Sequence, residues 1–399
     1  MKKLFVLLLT LFIVVCPTAM QFSNDFAASY AEEIVKESEE NLEEEIEKNL
    51  EKLDFSSLEE ILKSLTKTQI GIFGGIRFLD KIKSLLSGNF DSGQGIWKAI
   101  ISCFFEEVLS LMPIVSLIIA ISLVGSMIQS VKPSSSSKSM SGIIHFVTYG
   151  IIVVLTLSIV AKMISLTNGV ITSLNKQMDA IFPILLTLLT ATGSAVSVSV
   201  YQPAMGLLTG VILKFFSYIL LPIFIFSVVF NVLSNLSNTI KLEKITSFFQ
   251  STYKWLIGLI FTIFTAFLSI QGITAGAVDG ISFRTAKYAI KSYVPILGSY
   301  LSDGMGVVIA SSNLIKNTVG ASGLFLLLAT IISPLLELIL FMLALKLVAG
   351  IIEPLGNKQV ANFISSLSKS MVLLIALIIG IAFVYFILIG LVMCTANVI

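Results

Sequence analysis

Side chains that commonly bind metals or carry covalent intermediates are scarce in this sequence. It contains one histidine, His145, and three cysteines, Cys16, Cys103 and Cys394, which are far apart and form no C-x-x-C pair. Zinc sites and disulfide frameworks need closely spaced cysteine or histidine residues. We therefore expect no metal site and no disulfide, and we interpret the cysteines as small buried hydrophobic residues.

The short motifs of the common enzyme classes are also missing. The glycines of residues 71–75 are not followed by the GK[ST] ending of a phosphate-binding loop, and neither a zincin helix nor a catalytic triad pattern occurs. We expect no enzymatic activity and no cofactor.

Charged residues are scarce as well. They make up 13% of the chain, whereas hydrophobic residues make up 56% and the mean hydropathy is +0.97. A soluble domain carries about 25% charge, and a water-driven core stops growing near roughly 250–300 residues. Lipid must therefore solvate much of the surface, and we predict an all-α, polytopic transmembrane helical bundle. The net charge of +2 indicates no particular partner, and we expect no nucleic acid.

The first 28 residues have the layout of a secretory signal. Lys2 and Lys3 precede an apolar run over residues 4–15, and small residues follow. Such a run is too short for an ordinary span. We predict a signal peptide, or alternatively an uncleaved signal anchor, over residues 1–28, and either form places the next segment outside the cytoplasm.

Residues 29–107 are predicted to form an acidic helical region outside the cytoplasm. Residues 32–67 contain 13 acidic residues and five lysines, with apolar residues at helical spacing. This pattern predicts an amphipathic helical hairpin, with Ser57 and Glu60 as a capping box. The acidic face could be simply solvated, could pack on the chain itself, or could dock a partner.

Residues 108–399 are predicted to form the transmembrane domain. Seven apolar runs are long enough to cross a bilayer as helices: residues 108–131, 142–166, 180–200, 204–233, 255–275, 323–352 and 371–393. The fourth and the sixth are 30 residues long, so we expect them to be tilted, kinked or broken. Lysine and arginine divide almost evenly between the two sides of seven spans, so the positive-inside rule sets no orientation.

Small residues and basic residues mark the end of the fifth run. Gly272, Gly276 and Gly280 form a G-x-x-x-G-x-x-x-G ridge, and Gly206 with Gly210 repeats the spacing in the fourth run. Such ridges allow helix backbones to approach closely in lipid. Beyond the ridge, basic residues share one helical face and apolar residues the other, which predicts an interfacial or re-entrant segment near residues 276–322.

Few charged residues lie deep in the apolar runs. Glu337 is the one acid, and it could line a polar path or pair with another subunit. Lys214 and Lys346 are long enough to extend toward a membrane surface. A proton-driven transporter should contain several such acids, so this class of protein is less favoured.

The sequence resembles one known family over residues 269–323. The matching elements are QG at Gln271 and Gly272, DGISFRTAK at residues 279–287, VPILG at residues 294–298 and LIKNTVG at residues 314–320. They are similar to the stage III sporulation protein AE family of endospore-forming Firmicutes. The order of leader, acidic region and spans agrees as well.

The resemblance implies a role in endospore formation and late forespore gene expression. Members of the family look like the membrane core of a channel or secretion-like complex, which lies in the mother-cell membrane surrounding the forespore. The implied partners are the other stage III sporulation A proteins, including a cytoplasmic ATPase and ring-forming subunits, and the stage II sporulation protein Q complex. A homo-oligomer is also expected.

The resemblance brings no catalytic residue. The matched polar positions are the first candidates for function: Asp279, Arg284, Lys287, Lys316 and Asn317. Two alternatives to a channel subunit stay open, namely an independent secondary transporter of small solutes and an assembly scaffold that conducts nothing.

Overall fold

A computed structural model describes residues 37–88, 94–130, 138–236, 242–293, 297–355 and 358–395, and these ranges contain helices and no strands. The predicted signal at residues 1–28 lies outside them. Four short helices come first: α1 (Glu37–Glu51), α2 (Ser56–Ser64), α3 (Lys67–Phe73) and α4 (Phe78–Leu86). We refer to these four as the N-terminal helices.

Six long helical segments follow. They are α5 (Gln94–Ser130), α6 (Lys138–Ala191), α7 (Ala195–Leu207), which continues into α8 (Leu221–Leu236), α9 (Glu243–Tyr293), α10 (Leu297–Ile352) and α11 (Lys358–Cys394). Two π-helical segments, Leu208–Ile212 and Phe216–Leu220, join α7 to α8 without a break, and a short 3-10 turn, Glu353–Leu355, ends α10.

The N-terminal helices form a small unit with its own apolar contacts. Leu58, Leu62, Phe73 and Phe78 are buried, and the rings of Phe73 and Phe78 stack with centroids 6.1 Å apart. The predicted capping box at Ser57 is wrong, because α2 already begins at Ser56 and its N-cap residue makes no side-chain cap.

The capping box lies at the start of α3 instead. The Thr66 hydroxyl accepts a hydrogen bond from the Gln69 backbone N–H, and the Gln69 side chain accepts one from the Thr66 backbone N–H at 2.9 Å. Two orphan donors of the first turn are thereby satisfied. Gly74, at φ 111°, ends the helix in the left-handed conformation that glycine adopts without strain.

Helix α10 lies at the centre of the fold. It packs against α11, α6, α5 and α9, and also against α1, α3 and α4. The acidic region is therefore joined to the long helices in the described structure, rather than standing apart as a separate hairpin. The Asn49 amide of α1 donates to the Ser311 hydroxyl of α10 at 3.3 Å.

Five described helices are long and apolar enough to cross a membrane: Gly95–Ile128, Phe146–Ala191, Ala195–Asn235, Gly306–Ile352 and Lys358–Cys394. The predicted count of seven spans is not confirmed. The fifth predicted run, residues 255–275, lies in α9, part of which falls outside the described side chains. Residues 94–107, assigned above to the acidic region, belong to α5 and continue directly into the first apolar run.

The third predicted span, residues 180–200, is wrong. Helix α6 ends at Ala191, Gly193 takes φ 81°, and α7 begins at Ala195. The run therefore contains a sharp turn between two helices. Its apolar residues Ile181, Leu185 and Leu188 are buried inside the protein, which explains their character without lipid contact.

The fourth and sixth predicted runs are unbroken helices, and the predicted re-entrant segment is also helical where the structure describes it. The fourth run stays helical through its two π segments, and the sixth stays helical through Pro334. Residues 276–293 are the end of α9, and residues 297–322 are the start of α10. The placement of this region at a membrane surface stays a prediction.

Candidate functional site: a polar column on the central helix

Helix α10 carries polar side chains that are almost completely buried. We call this set the polar column; it consists of Ser311, Ser312, Lys316, Ser322, Thr330 and Glu337. The column extends over about 39 Å, since a helix rises about 1.5 Å per residue. Burying a polar group is unfavourable unless it finds a hydrogen-bond partner, so the partners of each group show what the column holds together.

Lys316 links α10 to the end of α11, and through it to α7, at one end of the column. Its side chain is 0% exposed, and its ammonium donates to the backbone carbonyl of Thr395, just after α11 ends. The Thr395 hydroxyl lies 2.8 Å from the Tyr201 hydroxyl of α7. The last carbonyls of a helix have no donor within the helix and carry partial negative charge, so a lysine there is well matched.

Pro334 creates the next contact of the column. Proline has no backbone N–H, so the carbonyl of Thr330, four residues earlier, loses its helical donor. The Gln69 side chain of α3 supplies a donor at 3.1 Å. The Thr330 hydroxyl also accepts a hydrogen bond from the Gln177 side chain of α6. The N-terminal helices are thus hydrogen-bonded to the point where α10 lacks a bond of its own.

Glu337 pairs within this chain. Its carboxylate lies 2.5 Å from the ammonium of Lys162 on α6, and the two side chains are 8% and 62% exposed, respectively. Glu107 of α5 interacts electrostatically with both members of the pair. The Cys103 thiol of α5 lies close to Ser333, one turn before Glu337. Helices α5, α6 and α10 therefore meet at a charged layer.

The structure places the other predicted residues less centrally. Asn317 is half-buried beside Lys316, and Gly206 and Gly210 lie on an exposed face of the α7 segment. A methyl group added at either glycine would meet nothing within 4 Å, so neither glycine packs on another helix in the described part of the chain. The side chains of Asp279, Arg284, Lys287 and the ridge of Gly272, Gly276 and Gly280 lie outside the described set, and their roles stay predictions.

Several residues that the sequence did not single out make the close contacts instead. Gln69, Gln177 and Lys162 supply the partners of the polar column. A Cβ atom added at Gly380 would lie 2.2 Å from the Phe261 ring, and one added at Gly125 would lie 2.6 Å from Thr148. Cys103 is buried as expected, whereas Cys394 is exposed, which corrects its interpretation as a buried residue.

Changing Gln69 to alanine should loosen the N-terminal helices. The change removes half of the capping box and the donor to the Thr330 carbonyl, and an unsatisfied buried group costs about 1–3 kcal/mol. We expect faster proteolysis between residues 37 and 88 in the intact membrane protein. Gln202→Ala, at an exposed position of α7, is the control. Equal cleavage rates in the two variants would show that the contact contributes nothing.

The fold and the column together define a multi-pass α-helical membrane protein. Within the described ranges, no group of three histidine, cysteine, aspartate or glutamate residues could hold a metal ion. The chain belongs to the stage III sporulation protein AE family, whose sequence model matches residues 76–396.

A curated relative supports this assignment. The stage III sporulation protein AE of Bacillus subtilis (strain 168) is 26% identical over 306 residues, which cover 77% of this chain and 77% of the relative. No solved structure matches the chain. Family membership supports a role in sporulation.

Proposed function

We propose that this chain is a membrane subunit of the channel or secretion-like complex that joins the mother cell to the forespore. In this proposal it lies in the mother-cell membrane around the forespore and supports late forespore gene expression. It performs no covalent chemistry and needs no cofactor. Its contribution is a polar path through an apolar bundle, opened when partners act on it.

The polar column is the observation that supports a conducting role. A helix that served only as a scaffold would need few buried polar groups, since packed apolar side chains are stable without partners. Here two buried atoms, the Ser322 hydroxyl oxygen and the Gln177 carbonyl oxygen, have no hydrogen-bond partner among the described residues. Buried polar atoms usually do have one. Such atoms suit a helix that changes its partners.

The contacts of the column also suggest how the path opens. Lys316 binds the end of α11, Thr330 binds α3 and α6, and Glu337 binds α6. A small shift of α10 would release all three at once. We propose that the other stage III sporulation A proteins, including the cytoplasmic ATPase and the ring-forming subunits, and the stage II sporulation protein Q complex drive this shift.

The exposed face of Gly206 and Gly210 suits contact with a second copy of the chain. No described residue covers it, and small residues at this spacing allow helix backbones to approach closely. This supports a homo-oligomer within the proposed complex.

An independent secondary transporter is the second candidate. The charged layer of Glu337, Lys162 and Glu107 favours it, because ionisable groups within membrane helices often relay protons or ions. A scaffold that conducts nothing is the third.

Solute flux from liposomes separates these candidates. With purified protein alone we expect no flux of a small fluorescent solute, and with the other stage III sporulation A proteins present we expect flux. Gradient-dependent flux with the protein alone would favour the transporter. No flux under either condition would contradict the channel and leave the scaffold.

A further inference from the structure

The long helices exceed the thickness of a bilayer. Helix α6 has 54 residues, so it is about 81 Å long, whereas the hydrocarbon core is about 30 Å thick. Only part of each helix can contact acyl chains. Which part it is can be inferred from the side chains that the bundle leaves exposed.

The first half of α6 exposes apolar side chains. Ile143, Phe146, Val147, Ile151 and Val154 are 45% to 65% exposed, at the spacing of one helical face. A contiguous patch of this many large apolar side chains is rarely exposed to water in a soluble monomer. This face is suited to acyl chains.

The second half of the same helix exposes polar side chains. From Ser158 onward, the exposed positions include Lys162, Asn168, Thr172, Lys176, Asp179 and Thr187. The same half still buries Leu174, Ile181 and Leu185 against the protein. Apolar inside and polar outside is the pattern of a helix in water. We therefore infer that the surroundings of α6 change from lipid to water near Lys162.

Other helices also expose apolar side chains in the matching half, although this exposure continues past the level of Lys162 at Ile101 and Phe105 on α5 and at Val211 before α8. On α5 the exposed side chains after Glu107 are mostly apolar, including Leu109, Met112, Leu123 and Met127. On α8 they are Phe226, Val229 and Leu233, and on α10, beyond Glu337, they include Leu343 and Leu347. The Lys162–Glu337 ion pair and the interaction of Glu107 with it place α5, α6 and α10 in register.

An aromatic side chain typical of a membrane surface lies near the level where the exposed side chains change from apolar to polar. Tyr218 is 77% exposed, and tyrosine favours the interface. The Ser217 hydroxyl, next to Tyr218, donates to the Asn168 side chain at 3.1 Å, which fixes this segment six residues beyond Lys162 on α6. Lys214 is exposed one turn away.

We propose that the bilayer surrounds only the half of the bundle that ends at Ser130, Lys138, Leu236, Glu243, Ile352 and Lys358. We call it the membrane half. The other half contains the turn at Gly193 and most of the polar column, and it projects into water with the N-terminal helices against it. The contacts of Asn49 with Ser311 and of Gln69 with Thr330 place those helices on the projecting half.

The exposed polar side chains of the membrane half lie near its two surfaces. Lys346 comes six residues before the end of α10, and Asn362 comes four residues after the start of α11. The Ser368 hydroxyl donates to the Met342 carbonyl, so α11 runs antiparallel to α10 and Lys369 lies close to the level of Glu337. Lysine at such depths extends its ammonium to the headgroups.

The proposal also gives the bundle an orientation. Six helices cross in the membrane half, so three connections lie at its far end. In the sequence these connections and their flanks contain Lys132, Lys138, Lys241, Lys244 and Lys358. Positive charge in short connections marks the cytoplasmic side, so the projecting half and the N-terminal helices face away from the cytoplasm. The polar path of the proposed function would then run mainly through the projecting half, whereas the boundary itself is inferred from exposure and contacts alone.

Labelling of single cysteines tests the proposal. The background carries Cys16→Ser, Cys103→Ala and Cys394→Ser, and each variant adds one cysteine on the exposed face of α6: Val147→Cys or Ile151→Cys in the membrane half, Thr172→Cys or Thr187→Cys in the projecting half. The probe is a membrane-impermeant maleimide, added to intact bacterial cells that express the full chain. Two positions in each half guard against one variant that fails to fold.

We expect the two threonine positions to be labelled in intact cells, and the two apolar positions to stay unlabelled there and in inverted vesicles. Labelling at Val147 and Ile151 with protection at Thr172 and Thr187 would overturn the boundary. Labelling of the threonine positions only in inverted vesicles would overturn the orientation.

Discussion

Replacing Gly380 by leucine is expected to destabilise the protein by forcing α9 and α11 apart. An added Cβ would lie 2.2 Å and 2.4 Å from two atoms of the Phe261 ring on α9. The two helices have little freedom to separate, because the Tyr253 hydroxyl donates to the Leu373 carbonyl and the Gln250 amide to the Ser370 hydroxyl. Overpacking of this kind costs about 1–3 kcal/mol.

Thermal unfolding of the purified protein in detergent measures this effect. Gly390→Leu on the same helix is the matched control, since nothing lies within 4 Å of a Cβ atom added there. Phe261→Ala in the Gly380→Leu background should recover part of the loss by making room. If the Gly380 and Gly390 variants unfold at the same temperature, α9 and α11 are not packed as described.

Replacing Lys316 by methionine is expected to separate function from stability. Methionine nearly conserves the volume of lysine and carries no charge to bury, which offsets part of the about 1–3 kcal/mol that an unsatisfied carbonyl costs. The Thr395 carbonyl loses its donor, however, so the link between α10, α11 and Tyr201 is weakened. We expect a large loss of heat-resistant spores, while the amount of protein in the membrane stays near that of the wild type.

Lys346→Met is the control for this experiment, because Lys346 is exposed on the same helix. Its spore yield should stay close to normal. Equal yields from the two variants would show that the Lys316 contact has no role in sporulation. A collapse in the membrane level of the Lys316 variant would show that the lysine acts through folding instead.

The helical class of the fold could be predicted from the sequence, whereas the number of spans could not. Hydropathy does not distinguish a residue buried in protein from one exposed to lipid. Leu185 and Leu188 made residues 180–200 look like a span, yet both are buried inside the bundle. The turn at Gly193 was the local signal that could have prevented this error, since glycine is the usual residue where the backbone needs positive φ.

The sequence identified residues of the candidate site on α10 but not the residues that bind them. Lys316 and Glu337 were singled out as polar residues in apolar surroundings, and both lie on the polar column. Their partners, Thr395 and Lys162, are 79 and 175 residues away in sequence, so no local pattern could identify them. Pro334 could have revealed a free carbonyl at Thr330, although not that Gln69 would bind it.

The glycine motifs show the same limit. Gly206 and Gly210 have the spacing typical of close helix contact, yet they are exposed in this chain. Gly380 and Gly125, which have no such spacing to a neighbouring glycine, are where helices approach closely. Spacing alone does not say whether a small residue faces a helix of the same chain, another copy or lipid.

The central claim is that the bilayer covers one half of a long bundle and leaves the polar column of α10 mostly outside it. Cryo-electron microscopy of the protein in a lipid nanodisc tests this most directly. We expect the disc to surround the half containing Ile143, Leu233 and Leu347, with the Gly193 turn and the N-terminal helices in water. A disc that surrounds the Gly193 turn and the end of α11 instead would contradict it.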